Sequence, residues 1–214
     1  MRQLLERRSF LSTSSIALLA VPIFAACKDE AKAADAKAPP AAPPAGAAPS
    51  KADAEANDVE LLNGGILLEQ AAIQVYTAAA GLEFIKSDAA VLKIAGQFMG
   101  HHEAHRDALI AFVEKLGGKP VDFAGAKTPE IPAIVLDAAA PEADRKTATL
   151  KFARKLEREA AEAYHTLIVQ KLQTELARRG AVEILPVESM HVAIYDFVLG
   201  AEAPVNAALF SEQS

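Results

Sequence analysis

The sequence predicts an all-α chain, a four-helix bundle whose second and third helices are joined by one long crossover. Apolar residues recur at three- and four-residue intervals in four segments between Asp58 and Leu199. The middle connection, Lys119 to Pro141, holds four prolines and no sustained period, whereas the connections on either side of it are short. The first and third segments also repeat each other: LEQAAIQVY, Leu68 to Tyr76, is matched without gaps by LEREAAEAY, Leu156 to Tyr164.

The first element, residues 1–27, reads MRQLLERRSFLSTSSIALLAVPIFAAC: a basic start, an apolar run from Ile16 to Ala26 and a cysteine, the layout of an export signal. No stretch reaches the roughly 20 apolar residues a spanning helix needs. Arg7-Arg8 before Ser9-Phe10-Leu11 looks like a twin-arginine (Tat) signal, which implies the Tat export machinery as a partner. Phe24-Ala25-Ala26-Cys27 resembles a lipoprotein box, which implies lipidation of Cys27 and a periplasmic lipoprotein anchored to a membrane of the cell envelope. Cleavage near the alanines, leaving a soluble periplasmic protein, is the alternative. Cys27 is the single cysteine, so an intramolecular disulfide is excluded.

Residues 28–56 are dominated by Ala and Pro and read as an extended, semi-rigid linker that would hold a domain off a membrane. Losing residues 1–27 removes Arg2, Arg7, Arg8 and Glu6 from 22 basic and 28 acidic residues, so the formal charge falls from −6 to −8. So acidic a chain is a poor match for nucleic acid, whose affinity comes from Lys and Arg.

The bundle is expected over residues 57–200, followed by a tail at 201–214. The first helix is predicted from Asp58 to Ile85, capped by Asn57 or Asp58, and the second from Asp88 to Leu116, with Ser87 as cap and Gly117-Gly118 as stop. The 23 residues from Lys119 to Pro141, extended at ~3.3 Å each, can travel the ~40 Å length of a bundle and start the third helix at the opposite end. That helix is predicted from Glu142 to Arg179, stopping at Gly180, and the fourth from Val182 to Leu199, with Pro186 in or near its first turns.

The repeat carries chemistry. Glu69 precedes Tyr76 by seven residues and Glu157 precedes Tyr164 by seven, which puts acid and phenol on one helix face two turns apart. His102 follows Glu69 by 33 residues and Glu188 follows Glu157 by 31, and each opens an i, i+3 pair: His102 with His105, and Glu188 with His191. On the second helix the apolar series Val91, Ile94, Phe98, Leu109, Phe112, Leu116 runs through positions 102 and 105. Leu150, Ala153, Ala160 and Tyr164 bracket Glu157, and Leu185, Val192 and Tyr195 bracket Glu188 and His191. Several ionisable groups are therefore aimed at one core, and burying carboxylates without partners costs several kcal/mol each. Metal ions would compensate them, and carboxylate and imidazole donors without thiolates suit iron or manganese. His101 sits at the flank of the stripe and Glu103 points away from it; both are expected at the surface, with a role as hydrogen-bond partner of a ligand as the alternative. Glu162-x-x-His165 is a formal match whose Glu162 turns toward solvent, and Tyr76 and Tyr164 are expected as core residues with satisfied hydroxyls.

Glu, about 30 residues, Glu-x-x-His, and the same again resembles the ferritin-like di-iron carboxylate superfamily over residues 58–199. The resemblance implies a ferritin-like bundle and an iron or manganese centre, dinuclear in the full pattern. Glu69 and Glu157 match the single glutamates and would be terminal ligands. Glu188 with His191 matches the second Glu-x-x-His, with Glu188 as bridge, and His105 matches the histidine of the first. His102 stands where the family has a bridging glutamate, which leaves a mononuclear site, an asymmetric dinuclear site and a metal-free hydrogen-bonded core all open. Rubrerythrin, manganese catalase and bacterioferritin relatives imply an oxidoreductase acting on dioxygen, peroxide or ferrous iron. An envelope-tethered bundle that binds metal or a partner without turnover is the alternative, and a homodimer is compatible with either.

Overall fold

A computed structural model describes residues 48–200, Gly125 excepted. The export signal with Cys27, the linker up to residue 47 and the tail from residue 201 lie outside the described residues. Within them the chain is helical, without strands, and no helix is long and apolar enough to cross a membrane. Four long helices form the bundle: α1 (Lys51–Ala80), α3 (Ala89–Lys115), α5 (Glu142–Thr166) and α6 (Glu175–Val198). Two single-turn helices, α2 (Glu83–Lys86) and α4 (Ala133–Leu136), lie in the first turn and in the crossover. α1 packs chiefly on α3 and α5 on α6, with further contacts between α3 and α6 and between α1 and α5.

Most helix ends have a local cause, and several differ from the sequence expectation. α1 begins seven residues before Asp58 because Ser50 supplies a cap, its hydroxyl accepting the Asp53 N–H at 3.2 Å, and the Ala-rich segment behind it favours helix. α1 ends at Ala80 rather than Ile85, and α2 follows after Gly81-Leu82. The cap of α3 is Asp88 rather than Ser87, accepting the amides of Ala90 and Val91 at 3.1 Å each. α3 stops where expected: Gly117, at φ 76°, bonds back to the Glu114 carbonyl and Gly118 to that of Val113.

The largest departure is between α5 and α6. The third helix does not reach Arg179: α5 passes into a π-helical turn at Leu167–Lys171, the chain breaks at Leu172–Thr174, and α6 starts at Glu175. The cause lies far off in sequence. Asp58, fully buried on α1, accepts the backbone N–H groups of Gln173 at 2.9 Å and Thr174 at 2.7 Å, so it holds the start of α6 instead of capping its own helix. Gly180 is consequently inside α6, where a Cβ would stand 2.8 Å from the Phe112 ring; it permits close approach of α6 to α3 rather than stopping a helix. Pro186 likewise falls in mid-helix, leaving the Val182 carbonyl without an N–H from position 186.

The apolar core is divided. One cluster gathers Leu62, Ile66, Leu109, Val113, Tyr164 and Ile184, and another Tyr76, Ala95, Phe98 and Tyr195. Along each helix, the acids and imidazoles of interest fall between the residues of these clusters, so the polar groups form a buried layer across the bundle. A third cluster, Phe84, Ile85 and Val135, seats α2 and α4 beyond the second. Arg145 secures it, with its guanidinium 4.6 Å over the Phe84 ring and a 3.1 Å bond to the Val135 carbonyl.

Candidate metal centre

Glu69 on α1, His102 and His105 on α3, Glu157 on α5, and Glu188 and His191 on α6 converge in that layer. All but His105 are at most 2 % exposed, and the His105 side chain is 11 % exposed. Two overlapping sets emerge: Glu69, His102, His105 and Glu188 offer ligand atoms within 4.8 Å of one another, and so do His102, Glu157, Glu188 and His191. His102 and Glu188, the residues that open the two i, i+3 pairs, belong to both.

His102 spans the layer. Its Nδ1 donates to Glu69 Oε2 at 2.7 Å and its Nε2 to Glu157 Oε1 at 3.3 Å. Burial would depress this imidazole, but carboxylates on both sides raise it well above the ordinary histidine value, favouring the doubly protonated ring. Burial likewise opposes charge on His105, yet Glu188 and Glu69 raise it to about 9. His191 donates from Nδ1 to Glu157 Oε2 at 2.9 Å and is also raised, against its burial. The acids respond in turn. Burial works to raise Glu69 and Glu157, and the imidazoles overcome it and hold both below the usual carboxylate range.

Glu188 is the exception. His105 Nδ1 lies 2.9 Å from its Oε1, an ion-pair distance without hydrogen-bond alignment, and His191 Nδ1 lies 3.6 Å from its Oε2. Both Glu188 oxygens and His105 Nδ1 are therefore buried without a hydrogen bond. Burial, with the charge of Glu69 adding to it, pushes Glu188 up despite the pull of His105 and His191. Unpaired lone pairs at the centre of two ligand sets, with oxygen and nitrogen donors only, fit a hard or borderline divalent cation.

The phenols are exchanged between the halves. Tyr76 of α1 donates to Glu157 of α5, and Tyr164 of α5 donates to Glu69 of α1. Burial and the adjacent carboxylates raise both hydroxyls well above ordinary tyrosine, so both keep their protons. The Tyr195 hydroxyl lies 2.8 Å from that of Tyr76; since Tyr76 gives its hydrogen to Glu157, Tyr195 is the donor.

Two participants take larger parts than the sequence reading gave them. His101, expected at the surface, is half-buried; its Nδ1 lies 2.9 Å from His191 Nε2 and the two rings are parallel with centroids 5.2 Å apart. Burial and the neighbouring imidazoles lower His101, which makes it the acceptor of the His191 Nε2 proton and leaves His191 Nδ1 turned toward the carboxylates. Tyr195 follows Glu188 by seven residues, the spacing already present in Glu69–Tyr76 and Glu157–Tyr164, and that recurrence would have found it. Glu103 is exposed, as expected, and Glu162 pairs with Arg158 at 2.8 Å outside the cluster.

No curated protein and no solved structure matches the chain. A family does. The ferritin-like domain family matches residues 57–201, the span containing all four long helices from Asn57 onward and every residue of the layer. Repeat, crossover and buried Glu/His layer have one explanation in common: the chain belongs to the ferritin-like domain family.

Proposed function

We propose that this protein binds one or two iron or manganese ions in the buried layer and works as an oxidoreductase on dioxygen, peroxide or ferrous iron in the cell envelope. The observation that carries this is Glu188: a carboxylate with no exposed surface and no hydrogen bond, common to two four-residue ligand sets. Evicting solvent from an ionised carboxylate costs several kcal/mol, which His105 at 2.9 Å offsets in part and a bound dication would offset further. Glu69, His105 and Glu188 would hold one ion, and Glu157, His191 and Glu188 the other, with the single lone pair of a neutral His102 able to serve one of them. When bound, iron or manganese would supply one-electron redox chemistry.

The surrounding groups fit that task. Tyr164 and Tyr76 each hold one oxygen of Glu69 and Glu157, fixing the orientation of the other. His101 fixes the ring of His191, and Phe98 stacks on that ring with centroids 3.8 Å apart. Burial of the six residues excludes bulk water, which strengthens each electrostatic interaction among them. Transport through the Tat machinery and a lipid anchor at Cys27 belong to the same reading, supported by Arg7-Arg8 and the Phe24–Cys27 box; Cys27→Ser would move the protein from the membrane fraction to the soluble one.

Metal analysis of the purified chain by mass spectrometry after iron or manganese supplementation tests the reading. Near-stoichiometric metal is expected, removed by Glu157→Ala or His191→Ala and retained by Glu162→Ala and His165→Ala. Well under one metal per chain would sink it. One observation favours a second reading, a non-catalytic polar core: three imidazoles raised toward their charged form face three carboxylates, so the layer is close to charge-balanced without metal. On that reading iron and manganese leave the melting temperature unchanged.

A further inference from the structure

Beyond the Tyr76–Tyr195 pair, on the side away from Glu157, the bundle holds a narrow, partly open cavity of about 50 Å³ whose lining includes Ala95, Ala153, Val135 and Val198. Its polar lining groups are already engaged. Tyr195 donates to Tyr76 and Tyr76 to Glu157, while the hydroxyl of Thr149 donates to the Arg145 carbonyl at 2.8 Å. A water there would find no donor and only the lone pairs of the Tyr195 and Thr149 hydroxyls, fewer partners than the two to four hydrogen bonds it leaves behind, so a cavity of this kind favours apolar guests. A volume of about 50 Å³ exceeds the ~10–15 Å³ needed for one water-sized sphere and falls well short of the ~150 Å³ that admits benzene, which restricts the guest to a single atom or a diatomic.

The opposite flank lacks this space. At the positions equivalent to Tyr195 and Ala153 the repeat has Leu109 and Gly65, and a Cβ on Gly65 would stand 3.1 Å from Leu109 Cδ1. Leu62, Ile66, Leu109 and Tyr164 have no exposed surface there. On the cavity side the lining continues from the phenols past half-buried Leu82 and Ile131 to Val198, which is 39 % exposed, so an apolar wall leads from the metal layer to the surface beside α2 and α4.

We propose that this cavity is a binding site for a small apolar gas molecule, with dioxygen as its guest, held one phenol pair away from the Glu157 side of the layer. The choice of dioxygen rests on the redox reading above; the site itself does not depend on metal. Dissolved dioxygen is paramagnetic, so the test is nuclear relaxation of methyl groups in the metal-free full chain under oxygen pressure. The methyls of Ala95, Ala153 and Val135 should relax several-fold faster than those of Leu62 and Ile66 in the packed flank, and Val135, 1 % exposed, makes that comparison at nearly equal burial. In Ala95→Leu, the enhancement at Ala153 should fall to the level of Leu62, and in Ala153→Val the enhancement at Ala95 should fall likewise. Xenon introduced under pressure should occupy the same position and be displaced by the same substitutions. Equal relaxation in the two flanks, or enhancement unchanged by both substitutions, overturns the proposal. Because these readings are made without metal, they can fail while the metal analysis succeeds, and the reverse.

Discussion

The two halves of the bundle start from the same sequence pattern and end with different surroundings. In α1 and α3 the series is Glu69, Tyr76, His102, His105, Leu109; in α5 and α6 it is Glu157, Tyr164, Glu188, His191, Tyr195. Where the halves agree, they are wired reciprocally, each phenol serving the other half's single glutamate. Where they disagree, their surroundings part. His102 in place of a carboxylate lets an imidazole ion-pair with both single glutamates, and Glu188 is left as the acid with no hydrogen bond. Leu109 in place of Tyr195 closes one flank with apolar packing, whereas Tyr195 on the other joins a phenol pair bordering a cavity. A duplicated pattern therefore supplies a frame, and the positions that broke the duplication give the site its direction.

Making the halves alike is the strongest way to break this comparison. His102→Glu removes the imidazole from both Glu69 and Glu157 and adds a fourth acid to the layer, so the metal-free chain should lose roughly 3–5 kcal/mol in urea unfolding with chelator present. Added manganese should restore much of it and bind in larger amount than in the parent chain. A midpoint unchanged by the substitution would mean that His102 does not balance the layer.

Leu109→Ala attacks the packed flank. Deleting a fully buried leucine there should cost about 3 kcal/mol while metal content stays as it was, because no ligand is touched. A smaller effect than that of Tyr195→Phe would contradict the assignment of the tighter packing to the first half. Tyr195→Phe itself removes one hydrogen bond and should cost about 1 kcal/mol. The expected readout is a small shift in urea midpoint, with the Tyr76–Glu157 bond intact.

The gentlest test is pH. His105 is raised from 6.5 unfolded to about 9 folded, so its contribution to the metal-free chain is complete below about pH 6.5 and is lost as pH rises through about 9. The part of His105 left in water screens its pairing, so the decline with pH should be gradual. Chelator-treated protein should accordingly unfold at lower urea at pH 9.5 than at pH 6.5, and His105→Gln should flatten that difference. A midpoint that rises between those two values would contradict the ion pair between His105 and Glu188.

Much of the frame was legible because a helix repeats every 3.6 residues whatever it packs against. That periodicity identifies four long helices and puts the six acids and imidazoles on inward faces, and the proline-rich stretch from Lys119 to Pro141 marks the crossover. The same locality fails at helix ends. Gly180 has the composition of a stop, yet α6 runs through it because Asp58, 115 residues away from Gln173, fixes the break earlier. Ser87 and Asp88 are both able to cap, and only the amides of Ala90 and Val91 decide between them. His101 reads as a flank residue until α6 brings His191 alongside it.

By itself, then, the sequence determined the bundle, the crossover, the repeat and the facing of Glu69, His102, His105, Glu157, Glu188 and His191, all of which follow from spacing along a helix. Tertiary structure alone decided which phenol serves which acid, across separations of 81 and 95 residues, and left Glu188 rather than Glu69 or Glu157 without a hydrogen bond. It also decided that one flank would be filled and the other hollow. The physical reason is common to these outcomes: hydrogen-bond pairing and void volume depend on how helices meet, and no periodicity within one helix encodes where its neighbour's side chains arrive.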